Sequence, residues 1–120
     1  MALDNRVRVV AVQRFQGMSD LVLVYITNPS HEVALQITQA MLEKRLIACA
    51  NFHPVKSLYR WQGQGVNERE VVAVCKTTKD KYDAVCEEVA RIHPYAVPCI
   101  IKVAATANDS YVAWIHNELA

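Results

Sequence analysis

The side chains best suited to bind something in this 120-residue chain are few, and most are aromatic, imidazole or thiol. Ser57, Tyr59 and Trp61 alternate along one segment, so an extended backbone would put all three on one face. They read either as the aromatic wall of a small-molecule cleft or as packing at an interface, where aromatics supply much of the apolar area. His93 precedes Pro94, at a point where the chain must leave a helix, because the residue before proline is pushed out of the helical region. Imidazole there suits copper or zinc. It equally suits a structural cap that bonds the last helical carbonyls. Cys49 and His53 share a face if their segment is extended, yet lie about 13 Å apart at the strand rise. They cannot by themselves chelate one ion whose bonds are roughly 2.0–2.3 Å. Lys76 can neutralise a bound anion, or keep a solvated head on an apolar stem. No nucleophile–base–orienter set, phosphate-cradling glycine loop or paired-carboxylate motif stands out, so the expectation is a protein that is not an enzyme.

Composition narrows the class further. Hydrophobic residues make up 52% of the chain against 21% charged, enough for a core, and the three glycines and four prolines leave little room for long linkers. The formal net charge is +1, from 13 basic and 12 acidic side chains spread evenly, so no basic stripe is laid out for nucleic acid. Cys49, Cys75, Cys86 and Cys99 include no CxxC pair, and each lies in an apolar run where a free thiol behaves as a small buried hydrophobe. Unpaired thiols suit a reducing compartment, so the expected location is the cytoplasm. No apolar run approaches the ~20 residues that would insert in a membrane, and the N-terminus lacks the apolar core of a secretory signal.

The elements that position these residues follow from periodicity. Residues 1–20 form an N-terminal extension in which arginines interleave with valines, read as a possible extra edge strand, a leader, or sequence ahead of a start at Met18. One domain is expected over 21–120. Leu21 to Ile26 is an unbroken apolar run of the kind found in central strands. Ser30 caps the next helix, with Glu32 in its first turn and Lys44 and Arg45 at its end. A strand from about Leu46 to Phe52 is expected to break at Pro54, resume through Leu58 and Trp61, and turn at Gly63 and Gly65. Val71 to Cys75 forms a third strand. A second helix starts at Thr78 or Asp80 and stops at His93; a fourth strand runs from Cys99 to Val103; Asn108 caps a short last helix. The order β-α-β, β-α-β gives an α+β domain: a four-stranded antiparallel sheet with an extended β-hairpin and two helices on one face, the ferredoxin-like split. A sheet apolar on both faces but covered on one needs a partner, which points to an oligomer.

Several stretches resemble the CutA-type divalent-cation-tolerance family: residues 43–51 (EKRLIACAN), 57–63 (SLYRWQG), Glu70-Val71 through Lys76-Thr77, His93-Pro94-Tyr95 ahead of Pro98, and Tyr111 with Trp114. The resemblance implies a homotrimer with the sheets packed inward, an arrangement shared with PII-like signalling proteins. It also implies a role in divalent metal tolerance, copper binding as in some members, and no established catalytic reaction. It supports His93 as a metal ligand and adds Tyr95 and Trp114 to Ser57, Tyr59, Trp61 and Lys76 as residues of a ligand cleft or trimer interface. Departures from the family pattern matter. Glutamates common after His-Pro-Tyr and after the next proline are here Ala96 and Cys99; a lysine and an acid after the Trp-x-Gly turn are Gln64 and Val66; and Ile26 stands where a copper-binding member can carry cysteine. Losing carboxylates favours a soft ion over magnesium or calcium, making Cys99 a candidate ligand beside His93, with Cys49 as a third. The expectation is therefore a trimer that binds copper or a similar divalent ion. A PII-like scaffold that takes a small metabolite or protein partner in its inter-subunit clefts is the alternative.

Overall fold

The apolar run Leu21–Ile26 opens β1 (Leu21–Asn28), a central strand hydrogen-bonded on both sides. The computed structural model describes residues 19–120, so the expected extension falls outside the described residues except for Ser19 and Asp20. Those two lead into β1, with the Leu21 N–H donating to Ser19 Oγ. Chain order is β1, α1 (His31–Glu43), β2 (Cys49–Trp61), β3 (Gln64–Thr78), a 3-10 turn (Lys79–Lys81), α2 (Tyr82–Ile92), β4 (Ile100–Ala104) and α3 (Asp109–Leu119). The strands lie in the order β2-β3-β1-β4, and every pair is antiparallel. This is the ferredoxin-like α+β arrangement expected from the element order.

The expected caps hold in part. Ser30 Oγ accepts the Val33 N–H and caps α1. Asn108 stands at the N-cap of α3, but its side chain does not cap the helix and donates to Ser110 Oγ. α2 ends at His93, whose extended backbone precedes Pro94.

β2 does not break at Pro54 but runs through it, and begins at Cys49 rather than Leu46. β2 is an edge strand, so a proline can sit in it without costing the ladder a bond, provided its missing N–H faces outward. Pro54 stays in register opposite Val71.

β3 pairs with β1 only from Val71 onward, so its residues 64–70 are held by β2 alone. Seven residues of two-stranded ribbon therefore project about 23 Å beyond the sheet. The turn at its tip is two residues, Gln62 and Gly63, both with positive φ (50° and 78°), matching a primed hairpin turn. Gly65 lies within β3 rather than in the turn.

Alternation divides the sheet into two faces. Val22, Val24 and Ile26, with Ala73 and Cys75 beside them, meet Ile37 and Met41 of α1 and Val85 and Val89 of α2 in the main core. Each valine, isoleucine or methionine among them contributes about 1.5–3 kcal/mol on full burial. The opposite face carries Leu23, Tyr25, Ile101 and Val103. α3 covers one end of it by packing Ile115 and Leu119 on Leu21 and Ala48. Beyond α3 that face is open: Ile101 and Val103 remain about half exposed, at 50% and 47%.

Candidate functional site: the cleft at the base of the hairpin

The chain after α2 bends around the end of the sheet toward the open face, and His93 holds it there. Its ring is buried; Nδ1 accepts the Tyr95 N–H at 3.1 Å, and Nε2 lies 2.8 Å from the Thr27 carbonyl. A carbonyl can only accept and an amide N–H can only donate, so the proton sits on Nε2 and Nδ1 is the acceptor. Both ring nitrogens are thereby engaged, and in this arrangement neither offers a lone pair to a metal. Tyr95 packs edge-on against the His93 ring, with centroids 4.7 Å apart, and its hydroxyl donates to Glu70 Oε2 at 2.5 Å. Burial, then the bond to Glu70, raises the Tyr95 phenol above its ordinary range.

Against this loop stands the hairpin. Tyr59 and Trp61 of β2 and Glu70 of β3 share the open-side face of the ribbon, as their register requires. With Thr27, Tyr95 and Cys99 they line a cleft of about 510 Å³. The Tyr59 hydroxyl donates to Glu68, which lifts its phenol to about 12, the bond itself being the largest cause. Glu70 is buried at 6% exposure, and no cation among the described residues ion-pairs with it.

The candidate residues thus fall into two groups. Tyr59, Trp61, Tyr95 and Cys99 meet in the cleft, with His93 behind them as the anchor of the loop. Ser57 lies on the same ribbon face, opposite Glu68 and between the levels of Glu70 and Tyr59, but does not line the cleft. Cys49, Lys76 and Trp114 are elsewhere. Cys49 is paired with Lys76, whose ammonium reaches the Tyr111 hydroxyl at 3.3 Å and lies 5.3 Å from its ring centroid; Tyr111 stacks on Trp114. Three strand spacings, about 14 Å, separate the β2 edge from the β4 edge that Cys99 precedes. Within one subunit, then, His93, Cys99 and Cys49 do not converge. Among the described residues no three His, Cys, Asp or Glu side chains are grouped to hold an ion. Sequence reasoning missed Glu68 and Glu70, although their two-residue spacing on a strand placed both carboxylates on one face.

The model for the CutA1 divalent ion tolerance protein family matches residues 22–118. The chain belongs to the CutA1 family. Among CutA relatives, the divalent-cation tolerance protein of Thermotoga maritima is 40% identical over 101 residues, covering 82% of this chain and 99% of that protein. The one from Thermus thermophilus is 42% identical over 97 residues, covering 79% and 94%. Of the solved CutA structures, that of the periplasmic protein from Archaeoglobus fulgidus superposes with a TM-score of 0.81 at 34% identity, covering 83% of this chain and 99% of that one. The Synechococcus elongatus CutA structure gives 0.85 at 31% identity, covering 89% and 96%. These superpositions show that the chain has the CutA fold. Among the described residues no helix is long and apolar enough to cross a membrane.

Proposed function

We propose that this CutA1-family chain acts in divalent-cation tolerance as a non-catalytic homotrimer that binds copper or a similar divalent ion in clefts completed between subunits. The observation that carries the reading is the open sheet face. Leu23, Tyr25, Ile101 and Val103 present an apolar surface that no helix among the described residues covers. A second copy is its natural cover, since contiguous exposed apolar surface marks an interaction site. The hairpin cleft opens on the same side, so packing these faces together would bring a neighbour's side chains to it. There Cys99 supplies a soft thiol and Glu70 a carboxylate, a donor pair that fits copper or zinc better than magnesium. His93 serves this site by positioning the loop, and Cys49 lies outside it. Four unpaired thiols fit the cytoplasm. The cleft volume, within the range of small-molecule sites, also favours a second reading in which Tyr59 and Trp61 clasp a metabolite, as in a PII-like signalling trimer.

Native mass spectrometry with copper titration tests the first reading. The wild type should run as a trimer, and Ile101→Asp, which places a charge in the buried seam, as a monomer. Cys99→Ser should remain a trimer and bind copper at least tenfold more weakly. A wild type that is monomeric at micromolar concentration removes the assembly, and equal copper binding by wild type and Cys99→Ser removes the cleft as the metal site.

A further inference from the structure

The hairpin has a second face, and its chemistry is the reverse of the first. Where Tyr59, Glu68 and Glu70 occupy the open side, the alternate positions place Lys56 and Arg60 of β2 and Arg69 of β3 on the back. Lys56 and Arg69 are directly opposed across the ladder, an arrangement in which like charges repel. Among the described residues neither has a carboxylate within ion-pairing distance. An unrelieved cationic pair on neighbouring strands is a feature that a bound anion would explain.

The surroundings fit such an anion. Lys56 and Arg69 border a hollow of about 420 Å³ whose other walls are Pro29, Pro54 and Val71. Val55 and Glu70 also border it, but both belong to the opposite side of the ribbon, and the Glu70 carboxylate is taken by Tyr95. Their side chains therefore point to the other face, away from Lys56 and Arg69. Pro29 stands one residue before Ser30, the N-cap of the 13-residue α1, so the positive end of that helix lies at the same rim. Arginine's planar fork matches phosphate oxygens in pairs, and the lysine beside it adds a compact charge. The volume is that of a small-molecule site rather than of a single ion.

We propose that this hollow on the back of the hairpin binds a phosphate-bearing small molecule, held between Lys56 and Arg69. The site is separate from the hairpin cleft and stands whether or not that cleft binds a metal.

Calorimetric titration of the 120-residue, metal-free protein with inorganic pyrophosphate, at ionic strength held constant with sodium chloride, tests it. The wild type should bind saturably, with a Kd of about 10 mM or tighter. Arg69→Gln and Lys56→Gln should each weaken binding at least tenfold. Arg60→Gln, a charge lost from the same face but outside the hollow, should bind as the wild type does. If Arg69→Gln is poorly folded by circular dichroism, Lys56→Gln carries the comparison alone. Absence of saturable binding to the wild type overturns the proposal, as does binding by Lys56→Gln within twofold of wild type. An equal loss in Arg60→Gln would reduce the effect to general charge and overturn it too.

Discussion

Replacing His93 separates a ligand from a structural anchor. In the structure its two nitrogens join the Thr27 carbonyl, at the end of β1, to the Tyr95 amide in the loop after α2. His93→Ala removes both bonds and the ring against which Tyr95 packs. A polar group left unpaired in the interior costs roughly 1–3 kcal/mol. Thr27 and Tyr95 are half-buried, so the low end applies to each, and with the lost packing the total comes to about 2–4 kcal/mol. His93→Gln keeps an amide that can donate to Thr27 and a carbonyl that can accept from Tyr95, so its cost should be nearer 1 kcal/mol. Urea unfolding at a fixed protomer concentration, with copper titration of the same three proteins, reads both roles. An anchor predicts a stability order of wild type, then Gln, then Ala, with copper affinity following loop integrity so that Gln retains most of it. If His93→Ala unfolds within about 0.5 kcal/mol of wild type, the size of an ordinary surface change, while both variants lose copper alike, His93 is a ligand and the anchor argument is wrong.

The clamp between α1 and α2 predicts a pH dependence. Glu88 accepts from Lys44 at 2.6 Å and from Arg91, and these bonds hold its carboxyl below the usual value of 4.5. A depressed carboxylate contributes stability that is present above its unfolded value and is lost as pH falls through the folded one. The advantage of wild type over Glu88→Gln in denaturant midpoint should be constant above about pH 5.5 and shrink below pH 4.5; a gap that widens on acidification would refute the sign. The thiols give a second test. Cys75 is fully buried in the main core, and that burial pushes it up to about 12, whereas Cys49, Cys86 and Cys99 are half-buried. With a thiol-specific disulfide reagent at pH 8, Cys75 should react only after unfolding, and its modification in the native protein at the rate of the others would contradict the core assignment.

The parts of the fold legible in the sequence were those whose pattern is local. Leu21 to Ile26 reads as a central strand because both its faces are buried, one by helices and one partly by α3. The stop at His93 reads from Pro94 alone. Pro54 misleads because its effect depends on a non-local fact, that β2 lies at the edge of the sheet, where a missing N–H breaks no ladder bond. The site divides the same way. Tyr59 and Trp61 share a face by simple alternation, and the structure keeps them together. Glu70 and Tyr95 meet across 25 residues through a loop whose path follows no periodicity. Cys49 resembled Cys99 as a donor, but strand order places it toward the opposite edge, and strand order is set by pairings the composition of a strand does not encode.

A ribbon of period two explains how one hairpin holds two chemistries. Each strand of the ribbon gives every second residue to one side, so Tyr59, Trp61, Glu68 and Glu70 cannot share a face with Lys56, Arg60 and Arg69. A slip of one residue in β2 against β3 would send the aromatics to the back and bring Arg60 toward the cleft. What pins the register is the two-residue turn, whose positive φ at both Gln62 and Gly63 admits only one pairing of Trp61 with Gln64. Gly63 meets that backbone requirement without a side chain to strain, and Gln62 bears a cost of roughly 1–2 kcal/mol. The turn at the tip therefore governs both the aromatic, acidic cleft and the basic hollow behind it, though it touches neither.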